Sequence, residues 1–133
     1  MSKNTIKIAN CSGFYGDRLS AAKEMVDGGP IDVLTGDYLA ELTMAILYGQ
    51  KIQRGEKAGY VGTFLKQLKQ IASSCSEKNI KVVSNAGGLN PKSMAEEVKN
   101  ILDSEGLNLK VAYIDGDDCM DKFDELKKNG CLL

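Results

Sequence analysis

Four segments of this chain place glycine next to side chains that can take part in chemistry. They cover residues 10–17, 35–37, 84–91 and 115–118, and each follows a short stretch of strand-forming residues. Carboxylates transfer protons or hold hard cations, and amide side chains orient polar substrates. Glycine lets backbone N–H groups come close to a bound anion. The residue types therefore predict a site for a small polar or anionic ligand.

The segment from Ser84 to Pro91, Ser-Asn-Ala-Gly-Gly-Leu-Asn-Pro, has the clearest local pattern. It follows a β-branched stretch, and Asn90 and Pro91 suit the N-cap and the first position of a helix. Gly87 and Gly88 would let backbone amides face a ligand beside that helix N-terminus, an arrangement that binds anions. The same residues also fit a tight turn that binds nothing, so both interpretations stay open.

Five aspartates lie in the other segments: Asp17, Asp37, Asp115, Asp117 and Asp118. They make Mg²⁺ a candidate cofactor, because Mg²⁺ prefers oxygen ligands. Asp17, Asp37 and Asp118 also fit as helix N-caps, which would explain them without a metal. The chain contains no histidine. Any acid or base must therefore be a carboxylate, a lysine, a tyrosine or a cysteine.

Composition and missing motifs argue against several classes of protein. A formal net charge of −1 with scattered lysines lacks the basic surface of a nucleic-acid-binding protein. The four cysteines form no CxxC pair, which argues against zinc and haem, and no GxGxxG or Walker A motif supports NAD or ATP. No stretch is long and apolar enough to span a membrane, and the chain does not start with a signal region. We therefore expect a cytoplasmic protein with reduced thiols.

Strand and helix patterns alternate along the chain. Strands are predicted at 5–9, 31–34, 80–83 and 109–114, and helices at 18–26, 38–53, 60–76, 92–102 and 120–128. This order predicts one α/β domain over residues 1–133, with a Rossmann-like three-layer αβα arrangement and a mostly parallel sheet of about four strands. The carboxyl ends of parallel strands meet at one edge of a sheet, so the four glycine-containing segments are expected to converge there.

The predicted helix at 38–53 is apolar on nearly every side. A helix with this pattern is buried on more than one side. In a domain of this size the pattern predicts either a contact between subunits or a contact with a missing part of the chain.

Four motifs, in this order, carry a resemblance to a known family. They read Gly13-Phe14-Tyr15-Gly16-Asp17-Arg18, Gly36-Asp37-Tyr38-Leu39-Ala40-Glu41, Asn85-Ala86-Gly87-Gly88-Leu89-Asn90-Pro91 and Gly116-Asp117-Asp118. Together they resemble the N-terminal region of the acyclic terpene utilisation AtuA-like family, long treated as a domain of unknown function. Family members are usually much longer, so the resemblance implies that this chain corresponds to the N-terminal part of such a protein.

The resemblance implies a ligand-binding or catalytic domain in the catabolism of acyclic terpenoid or branched acids, handled as coenzyme A thioesters. We infer a hydro-lyase or carbon–carbon lyase that acts on a small carboxylate or acyl thioester. Asp37 and Glu41 are then the candidates for proton transfer. The candidate ligand-binding residues are Gly13, Gly16, Asp17, Arg18, Asn85, Gly87, Gly88, Asn90, Asp117 and Asp118. In this scheme Arg18 pairs with an anionic group, and Asn85 and Asn90 orient the substrate.

Another class of function also fits the sequence. The short chain and the apolar helix at 38–53 are compatible with a non-catalytic α/β module that binds a ligand or a partner subunit, including a second copy of itself. In that case the glycine-containing segments only shape turns. A flavodoxin-like nucleotide-binding protein is a third and weaker alternative, based on the few aromatic residues near the loop ends.

Overall fold

The computed structural model describes residues 5–131 of the chain. Within this range the polypeptide alternates between short strands and helices, as the sequence predicts. The strands are β1 (Ile8–Asn10), β2 (Val33–Gly36) and β3 (Lys81–Ser84). The helices are α1 (Ala21–Asp27), α2 (Glu41–Arg54), α3 (Gly62–Glu77), α4 (Pro91–Ser104) and α5 (Phe123–Lys128), and a single 3-10 turn (Met120–Lys122) leads into α5.

The three strands form one parallel sheet in the order β1-β2-β3. The register aligns Ala9 with Leu34 and Leu34 with Val82. Aligned residues of neighbouring strands point to the same face, so these three side chains share one side of the sheet. The predicted α/β class with a parallel sheet is confirmed.

Helices α1 and α3 pack together on the face of the sheet that carries Leu34. Val26 of α1 and both Ile71 and Cys75 of α3 form a buried cluster with Leu34. Cys75 is buried here and serves as a small apolar residue, as its position on the apolar side of α3 predicts.

A second buried cluster lies between α2, α3 and α4. Leu47 of α2, Phe64 and Leu68 of α3, and Leu102 of α4 are its main members. It lies beside the loops that follow β2 and β3, so the same packing that holds the helices also fixes these loops. No helix in the described range has the length and apolar character needed to cross a lipid bilayer.

The other face of the sheet is open in the described part of the chain. Ile8 and Val83 lie on it and are 65% and 60% exposed. Parallel sheets usually have both faces covered. The second helical layer of the predicted three-layer arrangement is therefore not seen among residues 5–131, because α1 and α3 lie on the same side of the sheet, the side that carries Leu34.

The fourth predicted strand, at 109–114, does not pair with the sheet in the described structure. Leu107, Leu109 and Val111 are half-buried and pack against the second cluster, while the residues between them are exposed. The apolar alternation at these positions thus reflects side-chain burial. Burial alone produces the two-residue period, so the pattern does not require strand pairing.

Four of the five predicted helices begin later than the sequence suggests. α3 begins at Gly62 instead of residue 60, and α5 begins at Phe123 instead of residue 120. α1 begins at Ala21 instead of residue 18, and α2 begins at Glu41 instead of residue 38. At α2 the reason is visible, because Tyr38 is held by contacts outside the helix. Its backbone N–H donates to the Asn85 side chain, and its ring is buried.

Candidate functional site

The loop after β1 is closed by the carboxylate of Asp17. Its Oδ2 accepts a hydrogen bond from the Gly13 amide (3.0 Å), and its Oδ1 accepts one from the Arg18 amide (2.8 Å). These two donors hold the pKa of Asp17 below its usual value. Asp17 does not cap α1, because α1 begins at Ala21. The N-cap interpretation of Asp17 is therefore wrong, and the residue instead fixes the shape of its own loop.

Arg18 is turned toward α1 in this structure. Its Nη2 lies 2.7 Å from Glu24 Oε2, and both side chains are exposed. Gly16 lies under the ring of Phe14, so that a Cβ at this position would come within 3.0 Å of the ring. The predicted roles of Gly13, Gly16, Asp17 and Arg18 in ligand binding stay predictions.

The loops after β1, β2 and β3 meet at Asp37. Its backbone N–H donates to the Ser12 carbonyl (3.0 Å), and its Oδ1 accepts a hydrogen bond from Asn85 Nδ2 (2.7 Å). Asn85 Oδ1 in turn accepts the N–H of Tyr38 (2.9 Å). We call this group of Ser12, Asp37 and Asn85 the polar junction. It confirms that three of the four predicted segments converge at the carboxyl edge of the sheet.

Asp37 is an exposed carboxylate held in a fixed position. Its Oδ1 also accepts the Leu39 N–H (3.3 Å), so the carboxylate is oriented by both a side-chain and a backbone donor. The N-cap position of α2 is Ala40, so Asp37 does not cap this helix. Glu41 occupies the first turn of α2, where a negative charge is favourable to the helix dipole.

Tyr38 lies directly below the polar junction and is 2% exposed. Its hydroxyl is hydrogen-bonded to Gln67 Oε1 and lies 3.8 Å from Cys11 Sγ. Burial raises the pKa of Tyr38 and the pKa of Cys11, so both groups stay protonated at neutral pH. Gly36 belongs to the same arrangement, because a Cβ there would overlap the Tyr38 ring.

The backbone amides of the Ser84–Pro91 loop are mostly used within the protein. Ala86 N–H donates to Ser84 Oγ (3.0 Å), and Gly88 N–H donates to the Asn85 carbonyl (3.2 Å). The N–H of Leu89 donates to the Gly59 carbonyl (2.9 Å). Among residues 86–90, the amide of Gly87 alone makes no hydrogen bond with the described residues. An anion at this loop would thus find one free amide rather than a ring of donors.

Packing explains why two glycines occur in this loop. A Cβ on Gly87 would lie 2.7 Å from Pro91 Cβ. Gly88 has a positive φ of 51°, and a Cβ there would overlap a methyl group of Leu47 and lie 2.9 Å from the Gly59 carbonyl oxygen. The structure therefore gives Gly87 and Gly88 a packing role that does not depend on a ligand.

Asn90 performs the helix-capping role that the sequence predicts. Its Oδ1 accepts the Ser93 N–H (3.2 Å), and Pro91 is the first residue of α4. Its Nδ2 donates to the carbonyls of Glu56 (2.6 Å) and Ala58 (3.0 Å). Both the oxygen and the nitrogen of the Asn90 side-chain amide are thus hydrogen-bonded within the protein, so no ligand is needed to explain why asparagine occurs at this position.

A cleft of about 270 Å³ opens beside the same loop. Its walls come from α2, from the loop after β3 and from the segment around α5. The lining residues are Met44, Gly88, Leu89, Asp117, Asp118, Cys119, Met120, Phe123 and Leu126. We call it the apolar cleft. Residues from two of the predicted segments, 84–91 and 115–118, line this cleft together, next to α2.

The lining of the apolar cleft suits a small ligand with a hydrocarbon part. Five of the lining residues listed above have large apolar side chains, whereas the charged ones are limited to Asp117 and Asp118. Ligand sites in proteins usually measure roughly 300–1,000 Å³, so this cleft of about 270 Å³ lies just below that range and suits only a small ligand or one part of a larger one. Asp118 Oδ1 also accepts the Met120 N–H (3.0 Å), which fixes the start of the 3-10 turn.

Metal binding was predicted from the aspartates. Within residues 5–131 no three cysteine or acidic side chains come close enough together to form a metal-ligand group. Mg²⁺ binding stays a prediction from the sequence.

Sequence reasoning missed two residues that shape the site, Tyr38 and Gln67. Tyr38 was assigned to the start of a helix, although it follows a glycine and an aspartate at a strand end. Gln67 lies between Phe64 and Leu68 on the otherwise apolar side of α3. A polar residue at such a position must find a buried partner, and that requirement was the available signal.

The sequence as a whole matches one family model. The model is described as "Acyclic terpene utilisation family protein AtuA" and matches residues 6–132. No curated protein and no solved structure matches the chain.

Proposed function

The chain belongs to the acyclic terpene utilisation family AtuA, and we propose that it binds an acyclic or branched acyl compound in the apolar cleft. The observation that carries this proposal is the lining of the cleft by Met44, Leu89, Met120 and Phe123 beside two carboxylates. A branched hydrocarbon chain would bury apolar surface against these side chains, which is favourable by about 25 cal/mol per Å². The family description and the cleft therefore point to the same class of ligand.

The acyl group is proposed to enter as a thioester instead of a free acid. Asp117 and Asp118 lie at the cleft, and neither forms an ion pair within the described residues. A free carboxylate would meet two like charges there, whereas the uncharged thioester group would not. In a coenzyme A thioester of a branched acid, the acyl and thioester groups suit the apolar lining and the acidic residues, and the anionic phosphates of coenzyme A would lie outside the cleft.

The proposed reaction is of the hydro-lyase or carbon–carbon lyase type, with Asp37 transferring a proton. Asp37 does not line the apolar cleft, so the reacting end of the ligand would extend from the cleft to the polar junction. Asp37 is exposed and oriented by two hydrogen bonds to its Oδ1, and its Oδ2 accepts no hydrogen bond from the described residues. Such fixed orientation is what a general base requires. Glu41, in the first turn of α2, is the second candidate. Asn85 then acts by positioning Asp37.

Binding is tested by calorimetry with three compounds: geranic acid, its coenzyme A thioester, and coenzyme A alone. We expect the thioester to bind more tightly than either of the others. Met120→Asp should weaken thioester binding by about tenfold or more. The control is Ile114→Asp, because Ile114 is 93% exposed and lies outside the cleft. Equal binding of coenzyme A and the thioester, or unchanged binding by Met120→Asp, would contradict the proposal.

Catalysis is tested by incubating the protein with the same thioester and measuring the mass of the products. Addition or loss of water would identify a hydro-lyase, and a shortened acyl chain would identify a carbon–carbon lyase. Asp37→Asn keeps an oxygen that accepts the Asn85 hydrogen bond but removes the base, so turnover should fall by roughly a hundredfold or more. Asp103→Asn is the matched control, because Asp103 pairs with Lys99 on α4. Unchanged turnover of Asp37→Asn would rule out its role as a base.

A second candidate is a non-catalytic module that binds a ligand or another subunit. The open sheet face, with Ile8 and Val83 exposed, favours it. Under this alternative the thioester binds in the cleft but remains unchanged on prolonged incubation. Ligand binding without any turnover would therefore support the module over the enzyme.

A further inference from the structure

A second opening runs along α4. It is an open groove of about 810 Å³ between α4 and the segment at 108–113. On α4 it is lined by positions 92, 95, 96, 99 and 100, whose spacing of three and four residues places them on one side of the helix. The buried residues of α4, Val98, Ile101 and Leu102, lie on the other side. We call this opening the α4 groove, and its volume falls within the range of roughly 300–1,000 Å³ that ligand sites usually occupy.

Lysines give the α4 groove a positive charge. Three of them line it, Lys92, Lys99 and Lys110, and all are exposed. Glu96 is the one acidic residue of the lining in the described structure. Lys99 Nζ lies 2.6 Å from Asp103 Oδ1. Neither Lys92 nor Lys110 forms an ion pair within residues 5–131, so both ammonium groups are available to an anionic ligand.

The α4 groove lies next to the apolar cleft along two stretches of the chain. Leu89 lines the cleft, and Lys92, three residues later, lines the groove. Tyr113 lines the groove, and Asp117, four residues later, lines the cleft. The charged lining residues of the cleft are acidic, whereas those of the groove are mostly basic. A ligand with one uncharged apolar end and one anionic end therefore matches the two openings in a single orientation.

We propose that the α4 groove binds the phosphate-bearing part of a coenzyme A thioester, an inference that rests on the proposed function, in which the acyl group lies in the apolar cleft. Lys92 on α4 and Lys110 on the facing wall hold the phosphates from two sides, since a lysine ammonium group binds phosphate as a point charge. Ala95 and Val111 contact the uncharged arm that joins the phosphates to the thioester.

The sizes of the two openings agree with this division of the ligand. The apolar cleft, at about 270 Å³, takes only one part of an acyl thioester of coenzyme A. The rest of the molecule needs a second place beside the cleft. Lys92 and Lys99 are about 10 Å apart along the axis of α4, so the α4 groove extends well beyond the size of a single phosphate.

The test is calorimetry with two thioesters of geranic acid, one with coenzyme A and one with N-acetylcysteamine, which carries no phosphate. We expect the coenzyme A thioester to bind the wild type about tenfold more tightly, or better. Lys92→Glu combined with Lys110→Glu should remove this advantage and leave binding of the N-acetylcysteamine thioester unchanged. Added salt should weaken only the coenzyme A thioester, because it screens interactions between exposed charges. Equal binding of the two thioesters to the wild type overturns the proposal.

A matched control makes the same change of charge elsewhere on the surface. Lys66 and Lys69 are exposed on α3 and line neither opening. Lys66→Glu combined with Lys69→Glu should therefore leave both affinities unchanged. If this control weakens the coenzyme A thioester as much as the groove variant does, the effect comes from net charge and the proposal is wrong.

Coenzyme A alone separates this proposal from the proposed function. Its binding should be weakened by the groove variant and unchanged by Met120→Asp. That result supports the α4 groove even where the N-acetylcysteamine thioester fails to bind, which would refute the acyl site in the cleft. The opposite result, in which Met120→Asp weakens the N-acetylcysteamine thioester and the groove variant leaves coenzyme A binding unchanged, keeps the cleft and overturns the groove. Binding of ADP as tight as that of the coenzyme A thioester would make the groove a site for free nucleotides and would also overturn the proposal.

Discussion

Replacement of Gly88 by alanine tests how the loop after β3 is held beneath α2. Gly88 has a φ of 51°, where an L-residue with a Cβ is disfavoured by about 1–2 kcal/mol. The new Cβ would also overlap Leu47 and press on the Gly59 carbonyl oxygen at 2.9 Å. This carbonyl accepts the Leu89 N–H, so it does not move freely. Overpacking of this kind costs roughly 1–3 kcal/mol.

The control for this prediction is Gly106→Ala. Gly106 also has a positive φ, of 70°, but a Cβ there would meet nothing within 4 Å. It therefore bears the conformational cost without the packing cost. We expect Gly88→Ala to lower the free energy of unfolding by about 1–3 kcal/mol more than Gly106→Ala does.

Urea denaturation gives the free energy of unfolding of the wild type and of both variants, so the two losses can be compared directly. Equal losses for the two variants, within about 0.5 kcal/mol, would refute the packing explanation of Gly88. The glycine would then be needed for some other reason, such as the approach of a ligand to the backbone, as the sequence first suggested.

Three further predictions concern the residues around the polar junction. Tyr38→Phe leaves the buried Gln67 Oε1 without its donor, so the free energy of unfolding should fall by about 1–3 kcal/mol in urea denaturation. The pKa of Asp17 is lowered in the folded protein, so its contribution to stability is complete above the unfolded pKa near 4 and is lost as pH falls through the lower folded value. Asp17→Asn should therefore lose less stability than the wild type in melting curves recorded from about pH 5 down to about pH 2; identical acid dependence would contradict this. Asn85→Asp places a second carboxylate against Asp37 in an exposed contact and should lower the free energy of unfolding by about 0.2–1 kcal/mol at neutral pH in urea denaturation; an unchanged free energy of unfolding would argue against the contact.

Local patterns in the sequence predicted most elements of the fold, because these patterns have local causes. Asn90 and Pro91 mark the start of α4 through capping chemistry, which involves only neighbouring residues. The strands at β2 and β3 are found within two residues of their predicted positions. The convergence of the loops after β1, β2 and β3 was also predictable, since parallel strands place their carboxyl ends at one edge.

The failures have long-range causes. Tyr38 does not join α2, because Asn85, which is 47 residues away, takes its N–H. Residues 109–114 keep the alternation of a strand but pack on the second cluster without pairing. The apolar cleft depends on the position of Phe123 relative to Leu89, and no short sequence window contains that information.

Helix α2 connects the packing of the glycine loop to the lining of the cleft. Leu47 rests on Gly88, and Met44, less than one turn earlier, lines the cleft. Leu47 is fully buried, so a Cβ at Gly88 that presses on its methyl group meets little free space and is expected to shift α2 together with Met44. Gly88→Ala should therefore weaken ligand binding even though the Gly88 amide is already bonded to the Asn85 carbonyl. Gly88 would then act on the proposed ligand through the position of α2, and a direct contact between its amide and that ligand is not needed to explain it.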